Sequence, residues 1–369
     1  MAQSRIDRTR IRMRPLAERR NKREIERDHV PLDAMPSSLG TGEPYLIEAV
    51  ERILSARKNG RSVMLSFGAH TIKNGLAPVI RELISKGWVT HLATNGAGVI
   101  HDWEFSYQGK SSEDVEYYVA RGQFGHWHET GHYLNLAINV GAYRGLGYGE
   151  SVGAMIHNDG VDIPRDDEME ATVMERLHSD PEKAAAAGDL LAIARKFALP
   201  RGRIEVPHRW KNFSVQAGAY EHGVPFTAHP MFGHDIIYNH PMNHGACLGR
   251  AAIRDYLTFA EGVNQIDGGV YLSIGSAVMS PMIFEKAMSM ARNLAIQEDR
   301  KIERHYMLVV DLARSNWDWS RGEPPENHPD YYLRFNKTFS RMGGTLRYVS
   351  ANNRDFLLHL YRGLVTSEA

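Results

Sequence analysis

Cysteine is almost absent from this chain. One residue, Cys247, stands among 369, which excludes an internal disulfide framework and a metal site built from several thiolates. Net charge is absent too. The 44 lysines and arginines balance 44 acidic residues, so no overall field argues for a nucleic-acid partner or a charged membrane surface. No apolar run reaches the roughly 18 residues of a bilayer-spanning helix. The opening residues lack the apolar core of a secretory signal and read RIDRTRIRMRPLAERRNKRE, basic and poor in large apolar side chains. A cytoplasmic location is the expectation. Hydrophobic residues at 43% and charged residues at 24% are ordinary globular usage, in a chain long enough to bury a large core.

Residues 1–40 read as a basic arm, loose or draped over a neighbouring subunit, and residues 41–369 as the folded domain. Apolar positions recur at helical spacing over 45–57, and β-prone runs occupy 61–67, 89–94, 224–228, 269–274, 306–310 and 345–349. Helices are predicted over 74–85, 250–259, 281–293 and 354–364. A helical excursion over about 165–200 is joined around Ser179-Asp180-Pro181. Strand, glycine-containing turn, helix and strand in this order give an α/β fold. It is a doubly wound, mostly parallel sheet with helices on both faces.

Ligands of such a sheet sit beyond the carboxyl ends of its strands. Three turns fall there: Gly68-Ala69-His70, Asn95-Gly96-Ala97-Gly98 and Gly275-Ser276-Ala277. Glycine lets backbone N–H groups approach a phosphate, and a following helix N-terminus favours negative charge. No turn is a full G-x-G-x-x-G, but three in corresponding places point to a nucleotide crevice.

Three further segments carry chemistry. His128-Glu129-Thr130-Gly131-His132 matches H-E-x-x-H, in which His128 and His132 would hold zinc and Glu129 would activate water. That reading makes a metal-dependent hydrolase, although Gly131 costs its helix about 1 kcal/mol. Asp235 follows a predicted strand, and either caps a helix or grips an ammonium group, with His229, His234 and His240 nearby in sequence. Lys337 closes the run HPDYYLRFNK. It is a solvated cation, or an amine nucleophile if burial or a cationic neighbour lowers its pKa.

Taken in order, FGAHTIKNGL, VTHLATNGAGVIHDWE, GVPFTAHPMFGHDIIY, GGVYLSIGSAVMSPMIF and HPDYYLRFNK resemble the deoxyhypusine synthase family over about Tyr45 to Leu364. The resemblance implies a Rossmann-like NAD-binding domain and a homo-oligomer, a tetramer, with sites at subunit interfaces. It also implies NAD-dependent dehydrogenation of a small-molecule amine and aminoalkyl transfer through a lysine imine, as in relatives that make homospermidine. Lys337 falls on the imine-forming lysine, with Pro329-Asp330 also matching, and Asp235 on a carboxylate that holds a polyamine nitrogen. Asn95, Gly96 and Gly98 fall in a turn that meets NAD. Gly275, Ser276 and Ala277 stand where the family has three glycines, with His70 on the neighbouring turn. Pro281 replaces a histidine, Phe335 a stacking tryptophan, Tyr331 a carboxylate and His101 a glutamate, while His240 completes the implied pocket. Fewer acidic groups weaken the grip on a polycation, so spermidine is not the expected substrate. A paralogue that binds a ligand without catalysis is the remaining alternative.

Overall fold

Six short runs, of which β1, β4 and β5 are rich in Val, Ile, Leu, Met and Phe, become the parallel strands of a central sheet: β1 (Val63–Phe67), β2 (His91–Asn95), β3 (Phe226–His229), β4 (Val270–Ile274), β5 (Tyr306–Asp311) and β6 (Thr345–Ser350). They are the six runs that the sequence pattern marks, with ends shifted by a few residues. The computed structural model describes residues 3–368. All residues of β1 and β4 are buried, as befits strands covered by helices on both faces. The sheet order is β6-β5-β4-β1-β2-β3, so the chain winds outward from β1 in one direction and then from β4 in the other. Strand order reverses between β1 and β4, the topological switch point of a doubly wound Rossmann-like sheet. The α/β expectation holds.

Alternation along the strands sends Met64, Tyr271, Met307, Val309 and Leu346 to one face. There they pack with Phe259 and Val263 of helix Gly245–Asn264, and with Phe284, Ala287, Met288 and Ala291 of helix Met279–Gln297. Tyr271 stacks on Phe284 at 4.0 Å between ring centroids. Helices Glu43–Lys58 and Asn353–Glu368 pack against each other and against the strands.

The described residues divide into two units. One holds the central sheet, residues 26–98, 218–229 and 255–369. The other holds the residues up to Ile25 together with 99–217 and 230–254. The latter, called the first unit because the chain begins in it, is mainly helical, with helices His128–Arg144, Tyr148–His157, Asp166–Arg176 and Pro181–Lys196 and two short antiparallel pairs. Asp180 caps the last of these helices by accepting from the Lys183 N–H at 3.1 Å, and Pro181 opens it.

The basic arm does not hang loose. Leu16 and Ile25 are buried, Asn21–Glu24 pairs with Lys110–Glu113 as a ribbon, and the Arg8 guanidinium donates to the Tyr238 carbonyl at 2.7 Å. Arg19 is the anchor. Its guanidinium meets the Glu104 carboxylate through two 2.7 Å bonds, with both side chains 1% exposed. A pattern search sees only the arm's charge, because the partner lies far along the chain. Among the described residues no helix is long and apolar enough to cross a membrane.

Candidate functional site

At the switch point, the strand ends of the sheet-bearing unit come very close. The Gly68 N–H donates to the Ile274 carbonyl at 3.1 Å, and a Cβ on Gly68 would lie 2.1 Å from the Gly275 carbonyl oxygen. Gly68 is therefore required by the approach of one turn to the other. Gly275 adopts φ +60°, a left-handed conformation, and a Cβ there would meet only Asn353 Nδ2, at 4.0 Å. Gly275 and Ala277 are exposed, while the Ser276 hydroxyl accepts from the Ser280 N–H at 3.2 Å and fixes the entry to helix Met279–Gln297. His70 is exposed on the short helix Ala69–Lys73, its protonation disfavoured by partial burial and by Lys73.

The Asn95–Gly98 segment differs from its reading as a turn. β2 ends at Asn95 and helix Gly96–Gln108 begins at the next residue. The Asn95 side-chain oxygen accepts from the Gly98 N–H at 2.9 Å, capping the helix. A Cβ on Gly98 would sit 2.2 Å from Thr94 Oγ1, whose hydroxyl donates to the Phe67 carbonyl. Gly98 thus serves the strand below it, a local packing reason for glycine that no motif search separates from phosphate approach. An exposed, glycine-bearing turn is found at Gly275–Ala277.

Lys337 lies on helix Arg334–Ser340, beside a solvent-open cleft of about 540 Å³. Ala277, Val278 and Met282 form one side of that cleft and Arg334, Phe335 and Arg341 line it with Lys337. The Lys337 ammonium is 2.7 Å from Glu323 Oε1 and 3.5 Å from the centre of the Tyr331 ring. These contacts, the Glu323 hydrogen bond first, raise its pKa above the ordinary lysine value. An amine nucleophile needs the opposite shift, so Lys337 rests as an ammonium. Arg341 takes the other oxygen of Glu323 at 2.7 and 3.0 Å, and the two cations hold that carboxylate below its usual range. Asp330 anchors the neighbouring loop by accepting from the Ser315 hydroxyl and from the Asn316 and Trp317 N–H groups, at 2.9 to 3.0 Å. Lys337 therefore lies against the Tyr331 ring and lines the cleft with Phe335. Glu323, which carries the electrostatics, has no signature in its loop sequence. The Arg334, Lys337, Arg341 spacing was visible, since it places all three on one helical face.

Asp235, His240 and His101 belong to the first unit. Asp235 precedes the turn Ile236–Asn239 without capping it. Its Oδ2 is buried with no hydrogen-bond partner among the described residues, and burial raises its pKa to about 7. The Tyr238 hydroxyl is equally buried and unpartnered. A buried carboxyl without partners is an unmet acceptor, suited to a cation. His240 packs over Gly131 (a Cβ there would lie 2.7 Å from its own) and within 6.0 Å of the His132 ring. Burial lowers both histidines to about 4. His101 bonds the Ser111 hydroxyl at 2.7 Å, and Ser111 donates to Glu104, which joins it to the Arg19 network.

Gly131 does not prevent the helix of the H-E-x-x-H motif, because His128–Arg144 is continuous and the glycine makes room for His240. The hydrolase geometry does not follow. Glu129 accepts from the Leu16 N–H at 2.6 Å, and the His128 and His132 rings stack at 5.2 Å. Among the described residues, the one set of three with ligand atoms within 4.8 Å of one another is Asp189, His244 and Cys247. Arg250 occupies that Asp189 at 2.5 Å, and burial pushes the Cys247 thiol up to about 12.

No protein-family model matches the sequence, and no curated protein matches it. Solved structures with a similar fold include an arginine dihydrolase of the ornithine–ammonia cycle in cyanobacteria, at 12% identity and TM-score 0.41, over 88% of this chain and 33% of that one. A ternary complex of AgrE with ornithine and NAD+ matches at 13% identity and TM-score 0.45, over 90% and 35%. A protein from Entamoeba histolytica assigned as a deoxyhypusine synthase matches at 9% identity and TM-score 0.40, over 89% and 92%. The chain spans about a third of the length of the first two. These likenesses concern the α/β fold.

Proposed function

We propose that this chain is an NAD-dependent enzyme that oxidises a small amine and passes its carbon skeleton through an imine on Lys337, with a substrate other than spermidine. One observation carries the reading: Lys337 borders a cleft whose lining includes Ala277, the last residue of the exposed turn at the sheet's switch point. Gly275, Ser276 and Ala277, with His70, would hold the dinucleotide, which supplies a hydride acceptor when bound.

The chain's own residues have the remaining work. Phe335 lines the cleft and Tyr331 holds the lysine side chain in place. As the substrate C–H bond breaks and its electron pair departs as hydride, the nitrogen lone pair closes a C=N bond. Lys337 then adds through its neutral amine, the original C–N bond breaks, and the leaving amine takes the proton that Lys337 gives up. Asp235, in the first unit, is separately suited to an ammonium group. The proposal includes association of copies of the chain, as the resemblance implies.

The test is borohydride trapping with NAD and a panel of amines, followed by peptide mapping. A substrate-dependent mass increase on the peptide carrying Lys337, absent from Lys337→Arg, is expected. Undiminished turnover in that variant would remove covalent lysine catalysis. Denaturation and mass spectrometry of the purified protein should release a nicotinamide dinucleotide.

A further inference from the structure

The cleft beside Lys337 carries the wrong charge for a polyamine. Arg334, Lys337 and Arg341 line it, and no acidic residue does. Glu323 neutralises one charge from outside the lining, through its contacts to Lys337 and Arg341. Three cations against one carboxylate leave the face positive. Arg334 is exposed, and among the described residues its guanidinium has no ion-pair partner. The Glu323 carboxylate already bridges a lysine and an arginine of this face. Opposite the cations, Val278 and Met282 are exposed at 62% and 50% and, with Phe335, offer an apolar wall.

We infer that the amine processed at Lys337 carries a carboxylate on a short hydrocarbon chain, an amino acid in the broad sense, with Arg334 receiving the carboxylate. Planar, two-pronged arginine recognition suits a carboxylate better than any single donor. Val278, Met282 and Phe335 take the methylene chain between the two charged ends. A diamine of equal length would bring a second ammonium against Arg334 and be rejected by like charge. The inference rests on the imine reading for Lys337 but names its substrate class.

The experiment compares ω-amino acids with diamines of matched chain length on the full chain with NAD. Borohydride labelling at Lys337 should favour the amino acid at least tenfold. Labelling by diamines at equal or greater efficiency overturns the inference and leaves the imine reading standing. Labelling by neither compound counts against the imine reading itself, and calorimetry then decides the inference independently. The ω-amino acid should still bind wild type, and Arg334→Gln should weaken it about tenfold. No binding, or binding insensitive to Arg334→Gln, overturns the carboxylate assignment. NAD affinity is measured in the same variant. A parallel loss there would assign Arg334 to a cofactor phosphate and overturn the inference as well.

Discussion

Replacing Arg19 by methionine should destabilise the first unit by about 3–5 kcal/mol, the cost of stranding a buried charge. The Glu104 carboxylate that remains is 1% exposed and keeps two hydroxyl donors, Ser111 at 2.6 Å and Thr130 at 3.1 Å. Neither supplies charge. Because total stabilities of domains are roughly 5–15 kcal/mol, the loss is large enough to read by urea unfolding. Hydrogen exchange over residues 8–25 should rise with it, since Arg19 ties that segment to helix Gly96–Gln108. The double variant Arg19→Met, Glu104→Leu should recover most of the loss, because a buried pair exchanged for apolar residues of similar volume is close to neutral. The pH dependence has a definite sign. Arg19 holds Glu104 below the usual carboxylate range, so its contribution is present above the unfolded pKa near 4.3 and disappears as pH falls through the folded value. A cost under 1 kcal/mol for Arg19→Met, or no recovery in the double variant, would refute this account of the arm.

Borohydride labelling of Lys337 should rise about 100-fold between pH 7 and 9, since the neutral fraction of an amine well below its pKa grows tenfold per pH unit, and Glu323→Gln should increase labelling at pH 7. A flat profile would mean that Glu323 does not govern the amine. Asp235→Asn should stabilise the protein above pH 7, where folding must otherwise bury an ionised carboxylate. The shift from 3.8 to about 7 sets a ceiling of roughly 4 kcal/mol. That gain vanishes below pH 3.8, and an equal gain at pH 4 and pH 8 would contradict it. Gly98→Val should impair folding through Thr94, so far-UV dichroism and melting, rather than NAD affinity alone, would change. Met290 and Leu294 form an exposed stripe, four residues apart, on helix Met279–Gln297. The doubly substituted Met290→Asp, Leu294→Asp chain should therefore shift to smaller species by light scattering if this stripe joins copies.

The sheet was legible because its signal is local. The central strands β1 and β4 are short apolar runs bounded by turn residues, and burial on both faces removes the need for alternation that would blur them. The order β6-β5-β4-β1-β2-β3 was not in the pattern, since it depends on which strands pair across long crossovers. Asn95–Gly98 shows the limit of motif reading. The same glycine that would admit a phosphate also clears Thr94, and only the distance of 2.2 Å distinguishes the two uses.

The electrostatic state of Lys337 was the least legible feature. The sequence offered Phe335 and Tyr331 as neighbours that would bury the amine and lower its pKa. Tyr331 instead lies with its ring 3.5 Å from the ammonium, a contact that favours charge, and Glu323 arrives from a loop rich in Pro and Gly with no periodicity to announce it. Charge is set by the nearest opposite partner, and a folded loop selects that partner without regard to sequence distance. For the same reason the carboxylates visible in the sequence, Asp235 and Asp330, say little about Lys337. Asp330 is spent on the N–H groups of its own loop, whereas Asp235 keeps a buried oxygen without a partner. Two aspartates of similar standing in the sequence therefore part ways in the structure, one as a fastening and one as a group with unfilled capacity. It is the unfilled one that a bound cation would satisfy.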